Sequence, residues 1–252
     1  MPQDKRKSAP KAIVSFIWMP TDQDRIWFLR HGKIRILGAI PHSSNLTLLC
    51  VLEYEQEEEL AVYKPLSGER PLSDFPPGLY KREILAYELS AYLNLDLVPE
   101  TIEREAQYGI GSLQRFIPNN FSQNYFTLLE DVERLEILRL LCGFDLLINN
   151  ADRKASHIIC GDDNNLYAID HGLCFHTEDK LRTVIWDFVG EALPNNLINA
   201  CKVLLDDKPD FLSYHLSNEE LSALFNRAEV LGTQQLFPYP PDGRFFYPWP
   251  MI

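Results

Sequence analysis

The chain has 252 residues, 46% of them hydrophobic, and a formal net charge of −12. That is enough for one large domain or two lobes sharing an interface, with ample apolar content for a core. An acidic chain with no segregated run of Lys or Arg repels nucleic-acid backbones and anionic head groups, so no nucleic-acid partner is expected. No apolar stretch approaches the roughly 18–20 residues that cross a bilayer, so no integral membrane segment is expected either.

Residues 1–24 open with "MPQDKRKSAPKAIVSFIWMP", basic and then briefly apolar. Without a small-residue cleavage site this reads as an N-terminal extension rather than a signal peptide. Cys50, Cys142, Cys160, Cys174 and Cys201 are scattered, odd in number and without a C-x-x-C pair. They read as reduced thiols of a cytoplasmic protein rather than staples or zinc ligands.

Residues 25–116 read as a strand-rich lobe. "KIRILGAI", "LTLLCVLEY" and "LAVYK" are apolar strand-like runs, separated by "PHSSN" and the acidic "EQEEE". After the Pro/Gly-rich "PLSGERPLSDFPPG", a helix is predicted from about Tyr80, with Leu85, Leu89, Tyr92 and Leu93 on one stripe. "LVPETIERE" and "IGSLQRFIP" read as two further strands, and "GIGS" as a turn. Residues 117–252 read as a helical lobe: one helix through "FTLLEDVERLEILRLLCGFDLLIN", two short strands near 158–160 and 166–169, and a helix at "NEELSALFNRAEVL". The prolines of "FPYPPDGRFFYPWP" forbid regular structure there, and the tail is expected to lie extended across the surface.

The informative stretch is "NNADRKASHIICGDDNNLYAIDHGLCF". "HIIC" and "LYAID" flank a Gly/Asp/Asn turn and predict a β-hairpin. A turn centred on Asp163–Asn164 places Ile158 opposite Ile169 and His157 opposite Asp170, close enough to share one metal ion. Asp152 enters from the preceding loop. Phosphoryl transfer needs this set: a carboxylate to orient the attacking hydroxyl, a cation near the γ-phosphoryl, and a metal-bound carboxylate between phosphates. Asp152 fits the base, Lys154 the cation and Asp170 the metal ligand. In protein kinases a Lys follows the catalytic Asp at two residues and an Asn metal ligand at five; here Lys154 and His157 stand at those places, and "DHG" begins at Asp170.

These segments, together with "AVYKP" and "KREILAYELSAYL…VPET", resemble the atypical kinases: type II phosphatidylinositol 4-kinases, HipA-type bacterial kinases and secretory-pathway protein kinases. Over the whole chain the order "VYKP…GERPL…DFP", "NNADRK", "IDHG" is most similar to a bacterial group related to phosphatidylinositol 3- and 4-kinases. The resemblance spans roughly residues 34–193 and implies an α+β, two-lobed protein-kinase-like fold. It further implies an ATP-dependent phosphotransferase using Mg²⁺ or Mn²⁺, with a nucleotide partner and a small-molecule, lipid or protein acceptor that the residues do not name. Lys64 of "VYKP" matches the lysine on the α/β-phosphates and Glu83 its helix partner, with Glu88 a rival one turn on. Ser44 and Asn45 of "SSNLT" lie where these families lay a loop over the phosphates, and residues 114–118 match the hinge beside adenine. The departure is His157, a softer ligand where relatives carry Asn or another oxygen donor. It leaves open Mn²⁺ preference, loss of one metal, or a nucleotide-binding pseudokinase acting as a regulatory or scaffolding module.

Overall fold

The computed structural model describes residues 22–41, 43–240 and 246–252; most of the N-terminal extension lies outside them. Five antiparallel strands form one sheet in the order β1-β2-β3-β5-β4: β1 (Lys33–Ala39), β2 (Leu48–Tyr54), β3 (Glu57–Pro65), β4 (Thr101–Ala106) and β5 (Gly109–Arg115). The apolar runs expected as strands are strands. β3 starts earlier than its apolar run, at Glu57 within the acidic stretch. Pairing with β2 and the guanidinium of Arg35 beside Glu53 and Glu58 make that acidic start tolerable.

One element departs from the expectation of strands from residue 25 onward: Asp22–His31 forms a helix, α1. Its apolar residues Ile26, Trp27, Phe28 and Leu29 are consecutive and carry no helical spacing. Burial decides it, because Phe28 and Leu29 pack onto Leu48, Cys50, Leu52, Ala61, Tyr63 and Leu113 and so cover one face of the sheet. Residues three apart on a strand point to opposite faces. Lys64, opposite Ser112, therefore projects away from the face that carries Ala61 and its partner Arg115.

Helix α2 (Leu79–Tyr92) bears the expected stripe. Leu85, Leu89 and Leu93 join the main core with α4 (Leu135–Ile148), α5 (Asn195–Asp207) and α6 (Asn218–Gln234). The single helix expected over 126–149 is broken into α3 (Tyr125–Leu128), a 3₁₀ turn at Val132–Arg134, and α4. Two side-chain caps cause the break. Asn124 and Thr127 form a reciprocal capping box, and Asp131 accepts from the Glu133 N–H. Val132 falls off the stripe and is 77% exposed.

The hairpin exists as β6 (Ile158–Cys160) and β7 (Leu166–Ala168), but its register differs by one residue from that expected. Ile158 pairs with Ala168, not Ile169. Such a slip would turn Asp170 to the wrong face; a left-handed backbone at Asp170, φ 62°, turns it back. The architecture is thus α+β, a strand-rich first half on a helix-rich second half. The five cysteines are buried and unpaired. Among the described residues no helix is long and apolar enough to cross a membrane.

Candidate functional site

The upper half of the site stands on regular elements. β3 carries Lys64 and α2 carries Glu83, which is 3% exposed. The Lys64 ammonium ion-pairs with Glu83 Oε1 and, at 2.9 Å, with Asp170 Oδ1. Glu83 Oε2 accepts from the His171 N–H at 2.8 Å. The rival Glu88 points elsewhere and meets His215 Nε2 at 3.0 Å. Burial raises the Glu83 carboxyl against the pull of Lys64. Burial alone would lower Lys64, but the two carboxylates outweigh it and hold the ammonium charged. Asp170 is pushed up by desolvation and more strongly down by Lys64 and His157, so it stays ionised. The glycine of "GIGS" at 111 serves this geometry: a Cβ there would sit 2.3 Å from the Lys64 carbonyl oxygen. The "GIGS" stretch expected as a turn instead begins β5; the turn lies at residues 107–108, and Gly109, at φ 93°, is the first paired residue after it.

The lower half stands on the loop from Asn149 to His157. Asp152 and Lys154 form an ion pair at 2.9 Å, with side chains 27% and 19% exposed. Desolvation raises the Asp152 carboxyl above its ordinary value, and the Lys154 ammonium restrains the rise. A partly desolvated carboxylate with a raised pKa is better matched to accepting a proton near neutrality than a free one. His157 Nδ1 lies 3.1 Å from the Asp152 carbonyl oxygen, and its Nε2 lies 3.3 Å from Asp170 Oδ2. The expected meeting of His157 and Asp170 therefore occurs despite the shifted register.

Those contacts also indicate what the pair can hold. Burial, with Arg153, Lys154 and Lys64 assisting against Asp170, brings the His157 imidazole down to about 4, so it is neutral at pH 7. Donation to the carbonyl assigns the ring proton to Nδ1, leaving a bare Nε2 facing a carboxylate oxygen. Two acceptors at that separation suit a shared cation. Among the described residues no three His, Cys, Asp or Glu side chains converge as a metal cage. One carboxylate completed by phosphate oxygens and water matches the way Mg²⁺ is usually held at phosphates, whereas the imidazole nitrogen is a softer donor that Mg²⁺ accepts less readily.

Ser44 and Asn45 lie in the β1–β2 connection, the position expected of a phosphate-covering loop. Ser44 is exposed, whereas the Asn45 side chain accepts from the Arg70 N–H at 2.9 Å and fastens that connection to the loop before α2. A cavity of about 810 Å³ lies away from the Lys64 cluster, lined by Arg25, Glu100, Arg115, Arg134, Asp163 and Tyr167 among others. Arg115 projects from the sheet face opposite to Lys64.

Several residues that organise the site went unrecognised in the sequence. Arg153, fully buried, bonds both Asp145 oxygens at 2.8 and 3.0 Å, the Ile169 carbonyl at 2.7 Å and His171 Nε2 at 2.8 Å. Asn150 bonds Asp145 Oδ1 and accepts from the Asp152 N–H. Asn149, left-handed at φ 56°, caps α4 and grips the backbone of His176, Glu178 and Lys180. One signal was available: Asp145 is an acid inside an otherwise apolar helical stripe, and a buried acid requires a partner.

Comparison with known proteins places this geometry in context. The chain is 37% identical over 260 residues to Protein Rv2133c of Mycobacterium tuberculosis, covering 88% of this chain and 93% of that one. The crystal structure of a Helicobacter pylori proinflammatory kinase, CtkA, is similar at a TM-score of 0.45 and 13% identity, over 82% of this chain and 93% of the other. No family model matches. With similarity that low, the kinase-like interpretation rests on the chain's own side chains.

Proposed function

The chain belongs to the family of that mycobacterial protein, and we propose that it is an ATP-dependent phosphotransferase of the atypical-kinase kind, distantly related to phosphatidylinositol 3- and 4-kinases. The observation that carries the proposal is the convergence on Asp170. Lys64 from β3 and His157 from the 3₁₀ turn ahead of the hairpin both reach it, Glu83 from α2 pairs with Lys64, and Asp152 stands beside them. Nothing in packing requires so many ionised groups in one cleft; a triphosphate does.

In this assignment residues 25–116 and 117–252 act as the two jaws. Lys64, kept charged and aimed by Glu83, neutralises the α/β-phosphates, with Ser44 and the β1–β2 connection above them. Asp170 and His157 would hold a divalent cation, which would supply charge neutralisation at the phosphates. Asp152 orients the acceptor hydroxyl and takes its proton as the oxygen–phosphorus bond forms. The bond from the γ-phosphorus to the β–γ bridging oxygen breaks, and ADP leaves with that electron pair. Lys154 keeps Asp152 ionised and offsets charge on the moving phosphoryl. Catalysis here is positioning and electrostatics, without a covalent enzyme intermediate.

Asp152→Asn tests the proposal. γ-Phosphate release from ATP, with Mg²⁺ or Mn²⁺, is expected to fall by roughly 10²–10⁴-fold, while the thermal stabilisation given by ATP persists. Unchanged turnover in that variant would sink the assignment. One observation favours a second reading. An imidazole at the metal position weakens Mg²⁺ binding, so nucleotide stabilisation without turnover under either metal identifies a nucleotide-binding pseudokinase.

A further inference from the structure

The proline-rich segment near residue 250 touches the catalytic loop. The Ala155 N–H, one residue past Lys154, donates to the Met251 carbonyl at 2.8 Å. The Phe246 carbonyl accepts twice, from the Thr183 N–H at 3.0 Å and from Trp186 Nε1 at 3.2 Å. Those two regions are already laced together: Arg153 N–H donates to the Arg182 carbonyl, and Val184 N–H donates to the Arg153 carbonyl. The segment 246–252 therefore bridges both sides of the pairing that brackets Asp152.

The bond at Ala155 matters because of its place. Ala155 begins the 3₁₀ turn that ends at His157, and its N–H belongs to the unpaired donors at the start of any such turn. With the segment in place Ala155 is fully buried, so the Met251 carbonyl rather than water satisfies its N–H. The same turn sets His157, which bonds the Asp152 carbonyl and faces Asp170. A loosened turn misplaces the base relative to the metal side while leaving Lys64 and Glu83 on their strand and helix.

We infer that residues 246–252 form a strap that positions the catalytic loop, so that Asp152 is correctly placed only when the Met251 and Phe246 carbonyls are docked. This rests on the phosphotransferase reading and adds a positioning element to it. Two variants test it. One deletes residues 246–252. The other is Ala155→Pro, which removes the N–H and sets the proline ring against the Met251 carbonyl: Lys154 is already extended (φ −86°, ψ 161°), as a residue before proline requires, and the first position of a helical turn accepts proline. In each variant kcat for ATP hydrolysis is expected to drop by roughly 10–10²-fold, as for an ångström-scale misplacement, with the Kd for ATP changed less than about threefold. A parallel loss of ATP affinity, or full turnover in both variants, overturns the strap. Should the unaltered chain release no phosphate with either metal, the phosphotransferase reading fails. The strap is then judged separately by hydrogen exchange: faster exchange at the His157 and Val184 amides in the deletion supports it, and unchanged exchange overturns it.

Discussion

Lys64 and Glu83 stand on a strand and a helix, whereas Asp152, Lys154 and His157 stand on irregular chain. The difference shows in what holds each half. The upper pair needs one mutual ion pair, because β3 and α2 already aim the two side chains. The lower half has no such frame and is fixed by buried side chains: Arg153, Asn149 and Asn150 from within the loop bond backbone, and Asp145 from α4 holds Arg153 and Asn150. Where regular structure is missing, buried polar groups perform the positioning, and each must be fully paired because desolvated charges cost several kcal/mol apiece.

The comparison breaks most visibly at Arg153. Arg153→Leu leaves the Asp145 carboxylate buried, 2% exposed, without its cation. Stranding one member of a buried pair costs about 3–5 kcal/mol, which lowers the midpoint of thermal unfolding by roughly 10 °C for a chain of this size. Replacing both members by apolar side chains, Arg153→Leu with Asp145→Leu, is expected to recover much of the stability but not turnover, since the loop loses its tie to Ile169 and His171. A loss below about 1 kcal/mol in the single variant would show that the network is not what holds the lower half.

The same contrast explains what was legible in the sequence. The strands, α2 and α6 are periodic, and Lys64 and Glu83 fall at readable places on them. The hairpin was legible from its turn residues, yet its register was not, since the left-handed backbone at Asp170 lies outside any alternation pattern. Helix α1 escaped because its apolar residues are consecutive and only tertiary burial makes them helical. The roles of Arg153, Asn149 and Asn150 escaped for a deeper reason. In a loop, spacing does not say which backbone carbonyl a side chain will find, and Arg153 lies between two residues, Asp152 and Lys154, whose chemistry drew the reading instead.

Acid sharpens the comparison next, because it addresses the lower half selectively. His157 is held at about 4 when folded and returns to near 6.5 when unfolded. Between those values the unfolded chain binds the extra proton, so folding stability rises with pH across this window. The native advantage is complete above about pH 6.5 and is lost as the pH falls towards 4, by up to about 3 kcal/mol. His171, also buried and depressed, adds a loss of the same sign. His157→Gln, unfolded by urea in the presence of a chelator, is expected to show a shallower decline from pH 6.5 to 4 than the parent. Identical slopes would mean that His157 titrates normally and is free to be charged beside Asp170.

The smallest effect, and the most selective, is expected at Glu83. Glu83→Gln keeps an oxygen for the His171 N–H and removes a carboxylate that burial already disfavours. Thermal stability should therefore move little, by about 1 kcal/mol or less, the scale of one neutral hydrogen bond. Lys64 loses its aim instead. Asp170 is then its remaining partner, 45% exposed, and in the proposed assignment the ammonium would be drawn from the phosphates towards that metal ligand. ATP affinity, read from the nucleotide-induced rise in unfolding temperature, is expected to fall about tenfold, equivalent to roughly 1.4 kcal/mol. Glu88→Gln is the matched control: it lies on the same helix but bonds His215, and it should leave ATP affinity unchanged. Equal losses in the two variants would mean that α2 acts only as a packing element, and that the upper half owes nothing to the ion pair that distinguishes it from the loop below.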